Sequence, residues 1–122
     1  MLVNLQTIID MAEKGGYCIP AFNVYNTETV MGVTDAAEQE RAPVIIQIYP
    51  RLINEAVGFY IAPAVVAAAR RASVPVCFHL DHGAGIPEVS RSLYWGATGI
   101  MRDASTEDFE NNVRKTREVV EL

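Results

Sequence analysis

The run His79-Leu80-Asp81-His82-Gly83 sets two imidazoles beside a carboxylate, directly after the apolar stretch Val74–Phe78. That pairing suits a metal site, in which a neutral imidazole coordinates while the carboxylate handles protons on the metal-activated substrate. The apolar stretch reads as a buried strand, and α/β folds gather their ligands at the carboxyl ends of such strands. Strand alternation puts Cys77, His79 and Asp81 on one face and Phe78 and Leu80 on the other. His82 would then point to the second face, unless Gly83 and the loop beyond it release the backbone and swing the imidazole over the opening. A catalytic zinc takes about three protein ligands. The chain has two histidines, and His79, deeper in the strand, is expected to be a hydrogen-bonded core residue.

Other polar groups fall at comparable places. Met101-Arg-Asp-Ala-Ser105 supplies a second carboxylate, Asp103, at the end of a later strand. It could serve the site or help Ser105 cap the following helix, and the local pattern leaves both open. Asn23 and Gln47 sit inside apolar runs. A buried amide needs partners, which either the mouth of the sheet or a bound substrate could provide.

The elements that must position these groups alternate along the chain. Leu5, Ile8, Ile9 and Ala12 recur at helical spacing, with Asn4 placed to cap the start and Gly15-Gly16 to end it. Tyr17–Asn23 reads as a buried strand weakened by Pro20. Asn26 or Thr27 can cap a second helix with Val30, Val33 and Ala37 on one side. Pro43–Ile48 is a strand apolar on both faces, as expected of one covered on both sides. Ile61, Ala64, Val65, Ala68 and Ala72 mark another helix, and Val74–Leu80 is the strand that carries the motif. A helix follows with Pro87 in its first turn, Val89 and Leu93 as its apolar side and Gly96 as its terminator. Thr98–Met101 is a fourth strand. Ser105 then opens a last helix whose core face is Phe109, Val113, Val119 and Val120.

Composition narrows the function classes. Half of the residues are hydrophobic and a fifth are charged (50% and 20%), the balance of an ordinary globular domain rather than a disordered one. The net charge of -5 and the lack of a basic stripe exclude a nucleic-acid surface. Cys18 and Cys77 both lie in apolar runs and are expected to be buried, reduced thiols. No signal-peptide core or bilayer-length apolar run is present, so the expectation is a soluble, cytosolic chain with no membrane partner and no internal domain boundary over residues 1–122.

A leading helix and four βα units fit two architectures. One is a self-contained open α/β sheet of flavodoxin-like size, a binding module without catalysis. The other is half of a (β/α)8 barrel, since the 122 residues are about half of the roughly 250 typical of that fold. The chain ends on a helix and its first strand lacks a Gly-rich nucleotide loop, which favours the barrel.

In this order and spacing, Met1–Asn4, Ala21–Asn23, Pro43–Gln47, Ala72–Val76, His79–Gly83 and Met101–Ser105 resemble the class II, metal-dependent ketose-bisphosphate aldolases, the group of fructose-bisphosphate and tagatose-bisphosphate aldolases. The resemblance spans essentially the whole chain, and His-x-Asp-His-Gly is its most specific piece. It implies an α/β fold that is the N-terminal half of a TIM barrel, with a helix across its base and the C-terminal half absent. It also implies reversible cleavage of fructose or tagatose 1,6-bisphosphate to dihydroxyacetone phosphate and glyceraldehyde 3-phosphate. Asp81 then matches the residue that exchanges a proton with the aldehyde oxygen, and His82 a ligand of the catalytic Zn2+. Asp103 matches a carboxylate at a second divalent or monovalent cation position, and Asn23 and Gln47 match residues lining the substrate site. The implied partners are small sugar phosphates and, for the complete protein, further copies in a homodimer or homotetramer. Family members commonly carry a serine where this chain has Tyr49, so that role is not transferred. Arg51 could meet a substrate phosphate or remain a solvated surface residue, and Arg102 is a candidate salt-bridge partner of Asp103. With the remaining zinc ligands and the base on later strands, the 122-residue chain alone is expected to be inactive.

Overall fold

The computed structural model describes residues 1–122. Four strands, β1 (Ala21–Asn23), β2 (Val44–Ile48), β3 (Val76–Gly83) and β4 (Gly99–Arg102), form one parallel sheet whose spatial order follows the chain. Helices α2 (Thr27–Glu40), α4 (Ala56–Arg71) and α5 (Ile86–Tyr94) all pack on the same face. There Val44, Ile46, Ile48, Val76, Phe78 and Leu80 interlock with Val30 and Ala37 of α2, Ile61, Ala62, Val65 and Ala69 of α4, and Val89 of α5. Unreversed strand order with helices on one side is the winding of a barrel wall. A doubly wound sheet would reverse its order and cover both faces.

The opposite face is closed only at its base. Helix α1 (Leu5–Gly15) begins where Asn4 Oδ1 accepts the Thr7 N–H at 2.8 Å and ends at Gly16. The preceding segment is stitched to the sheet by Val3 N–H to Val76 O (2.9 Å) and Leu5 N–H to Thr98 O (3.0 Å). This sets Ile8 against Ile45 and Cys77 on the inner face. The register then runs upward in steps of two. Ala21, Ile45 and Cys77 share one level, and Asn23, Gln47, His79 and Gly99 share the next. The inner face therefore changes from apolar at its base to polar toward the carboxyl ends.

Several expectations need correction. β1 is three residues long with Phe22 48% exposed, because it has a neighbour on one side only. Between it and α2 lies an apolar groove of about 380 Å³ lined by Pro20, Phe22, Val33, Ala36 and Val44. Cys18 is exposed, and Cys77 is the buried thiol. The last helix, α6 (Phe109–Val120), starts four residues later than Ser105, with Asp108 Oδ1 accepting the Asn111 N–H at 2.8 Å. No residue of α6 is buried, and Phe109 and Val120 lie in solvent, as does much of Leu93 on α5. A five-residue helix, α3 (Pro50–Asn54), was not expected; Pro50 occupies its first turn, where a missing N–H costs nothing.

Candidate functional site

β3 reaches past Leu80 through the motif itself, and its pairing with β4 shifts between Leu80 and Gly83. His82 takes up the irregularity with a left-handed backbone, φ 52°. Bulges of this kind re-aim a side chain. Here the ring turns toward the mouth, with Nδ1 2.8 Å from Asp103 Oδ2 and Nε2 3.8 Å from Asp81 Oδ1. Gly83 holds the bulge against β4: its carbonyl accepts the Asp103 N–H at 2.9 Å, and an added Cβ would stand 2.7 Å from Leu80 and 3.1 Å from Met101 O.

Asp81 follows the expected parity onto the inner face. Asn23 Nδ2 donates to its Oδ2 at 3.0 Å and Gln47 Nε2 to its Oδ1 at 3.3 Å, so each carboxylate oxygen has an amide donor from a different strand. The Asn23 contact fixes that amide's orientation, since a carboxylate only accepts. Asn23 Oδ1 is left buried with no hydrogen-bond partner. An orphan acceptor at a strand's carboxyl end is a place for a ligand donor such as a hydroxyl. His79 is 7% exposed, with Nδ1 3.2 Å from Gln47 Nε2. Burial pushes its pKa down and keeps the ring neutral.

Asp103 uses both oxygens. Oδ2 meets His82, and Oδ1 accepts the Ser105 N–H at 3.0 Å and hydroxyl at 2.7 Å. The Ser105 bonds and then the imidazole hold its carboxyl far below the usual range, and in turn Asp103 first and Asp81 second raise the His82 pKa. Ser105 thus braces Asp103 instead of capping a helix; the Asp-x-Ser spacing of an Asx turn is the signal that could have found it. Arg102 bonds the backbone carbonyls of Gly83 and Asp103, not the Asp103 carboxylate, which corrects the expected ion pair. Arg51 pairs with Glu55 at 3.1 Å in solvent, and Tyr49 is half exposed where α3 begins.

The donor set fits one arm of a metal centre. With Nδ1–H donated to Asp103, Nε2, 3.8 Å from Asp81 Oδ1, would carry the lone pair that a metal takes, the tautomer that metal-bound histidines adopt. No group of three or more His, Cys, Asp or Glu side chains converges to hold an ion. Further ligands would have to come from outside these four strands.

Comparison with known proteins agrees with this geometry. Residues 3–122 match the family model described as fructose-bisphosphate aldolase class-II. A fructose-bisphosphate aldolase of Thermus caldophilus is 41% identical over 99% of this chain and 39% of its own length. A 6-phospho-5-dehydro-2-deoxy-D-gluconate aldolase of Halalkalibacterium halodurans is 34% identical over 98% of this chain and 42% of its own length. The crystal structure of the YdjI aldolase from Escherichia coli K12 superposes with a TM-score of 0.93 at 37% identity, covering 99% of this chain and 47% of that one. The chain thus spans less than half the length of these relatives.

Proposed function

Because this chain belongs to the class II fructose-bisphosphate aldolase family, we propose that it forms the first four strands of a metal-dependent aldolase acting on phosphorylated ketoses. The observation that carries the reading is the convergence of Asp81, His82 and Asp103 with Asn23 and Gln47 at the carboxyl ends of adjacent strands. His82 would hold the metal through Nε2, and a bound Zn2+ would act as a Lewis acid on the substrate carbonyl. Asp103 keeps the imidazole oriented and is also the candidate carboxylate for a second cation. Asp81, held by two amides at the mouth, exchanges a proton between a carboxyl oxygen and the aldehyde oxygen as the carbon–carbon bond forms or breaks. Asn23 offers its free Oδ1 to a substrate hydroxyl, with Gln47 beside it.

Fructose or tagatose 1,6-bisphosphate is the proposed substrate, and the similarity to a deoxygluconate-phosphate aldolase keeps an acidic sugar phosphate as a second reading. The proposed setting is the cytosol, in line with two unpaired cysteines and the absence of any helix long and apolar enough to cross a membrane. A homodimer or homotetramer is the proposed assembly of the complete enzyme. The test is a chimera of residues 1–122 with the remaining part of the Thermus caldophilus relative, assayed with zinc on both bisphosphates. Cleavage that is lost in Asp81→Asn and His82→Ala supports the reading, and an inactive, folded chimera refutes it. Activity of the 122-residue chain alone would contradict the division of the site between two halves.

A further inference from the structure

We infer that His79 is a positioning residue for Asp81, acting through the side-chain amide of Gln47. The role of Asp81 in this statement rests on the function proposed above, whereas the three-residue coupling rests on geometry alone. Gln47 and His79 are register partners on β2 and β3, and Asp81 lies on the same face two residues further on. One atom, Gln47 Nε2, stands 3.2 Å from His79 Nδ1 and 3.3 Å from Asp81 Oδ1.

Gln47 Nε2 donates to Asp81 Oδ1, so the amide nitrogen, not its oxygen, faces the carboxylate. The same nitrogen then directs its second hydrogen at His79 Nδ1, which must be an acceptor. The ring proton is therefore on Nε2. The opposite tautomer would set N–H against N–H. Relief by flipping the amide would turn Gln47 Oε1 onto the Asp81 carboxylate and remove the donor that holds its Oδ1. Asn23 alone would then restrain the carboxylate through Oδ2, leaving it free to rotate.

His79 cannot readily give way. It is 7% exposed, and the level it occupies ends in Gly99, where an added Cβ would lie 2.8 Å from His79 Cδ2 and 3.1 Å from Cys77 Sγ. The missing side chain at Gly99 is what leaves room for the ring beside β4. Burial disfavours the charged ring, which leaves one ring nitrogen unprotonated, as an accepting Nδ1 requires.

The test is side-chain NMR of the isotopically labelled 122-residue chain. The expected spectrum has an unprotonated Nδ1 and a protonated Nε2 at His79, with inequivalent, downfield Gln47 amide protons. Nδ1 protonation in the native chain overturns the inference without any substitution. In His79→Leu the Asp81 carboxyl-carbon resonance and the Gln47 amide protons are expected to move. In His79→Asn, whose Oδ1 can fall near the Nδ1 position, they return toward native values. An Asp81 resonance unmoved in a folded His79→Leu chain also overturns the inference. In the chimera, His79→Leu is expected to lower kcat about tenfold with little change in KM, and an equal rise in KM instead would mark a binding role. A chimera inactive without any substitution, with the NMR signature intact, would defeat the aldolase reading and leave the coupling standing.

Discussion

His82 Nδ1 and Asp103 Oδ2 meet at 2.8 Å across the gap between β3 and β4, although parity alone would send the imidazole to the helix side of the sheet. The contact exists because a bulge and a left-handed backbone at His82 coincide with an Asx turn at Asp103.

The pair predicts a pH window for the metal-free chain. The His82 pKa is raised in the fold, so its contribution is fully present below about 6.5 and is lost as pH rises through the folded value. Asp103 is depressed, so its contribution is present above about 3.9 and is lost as pH falls through the folded value. Asp103→Asn is expected to bring the His82 pKa back toward its ordinary value in an NMR titration. An unchanged titration would mean the contact is not formed in solution.

Core and edge positions should respond differently to truncation. Phe78 is fully buried between the sheet and its helices, and Phe78→Ala is expected to cost about 3–5 kcal/mol, a large share of the roughly 5–15 kcal/mol that holds a domain folded. Phe22→Ala on half-exposed β1 is expected to cost about 1 kcal/mol or less. Urea unfolding of the two variants compares them directly, and equal losses would argue against the exposed edge.

Gly99→Ala places a methyl against His79, Leu5 and Cys77 at once. A loss of about 1–3 kcal/mol is expected, together with displaced His79 ring resonances. A neutral substitution would mean that the packing around His79 on the inner face is looser than described.

The Met1 ammonium donates to Ala72 O and to Val74 O, the latter at 2.8 Å, and Leu2 bridges to Val76. An N-terminal tag replaces this group by an amide with one hydrogen and is expected to cost about 1 kcal/mol relative to a C-terminal tag. Matched thermal melts of the two fusions check this, and identical melting temperatures would count against it.

Tyr49 opens α3 near the mouth, with its side chain half exposed and no capping bond. In the active chimera, Tyr49→Ser is expected to shift the ratio of kcat/KM between fructose and tagatose bisphosphates. An unchanged ratio removes Tyr49 from substrate selection.

Much of this arrangement is legible in the sequence because it depends on local rules. Alternation along Val76–Asp81 separates Phe78 and Leu80 from Cys77, His79 and Asp81, and short polar residues at Asn4 and Asn26 begin helices as their chemistry dictates. What is not legible depends on neighbours. An apolar run says nothing about whether a strand has one partner or two, so Tyr17–Asn23 reads as buried although only Ala21–Asn23 pairs, at an edge. Ser105 has the chemistry of a cap, but Asp103 captures its hydroxyl first. Five residues are too few for periodicity to reveal α3. The swing of His82 over the opening is anticipated from Gly83, but not its mechanism: the left-handed residue is His82 itself, at a pairing irregularity with a strand twenty residues away.

The shared level of Asn23, Gln47, His79 and Gly99 ties correct pairing to chemistry. If β2 slipped by one residue, Ile46 or Ile48 would stand between Asn23 and His79, and Gln47 would be driven into the helix-covered core. The misaligned sheet would bury an amide and expose an isoleucine in the same move. Register and chemistry are thus specified by the same residues: a slip that would displace the amide holding Asp81 also carries the cost of burying Gln47 among apolar side chains.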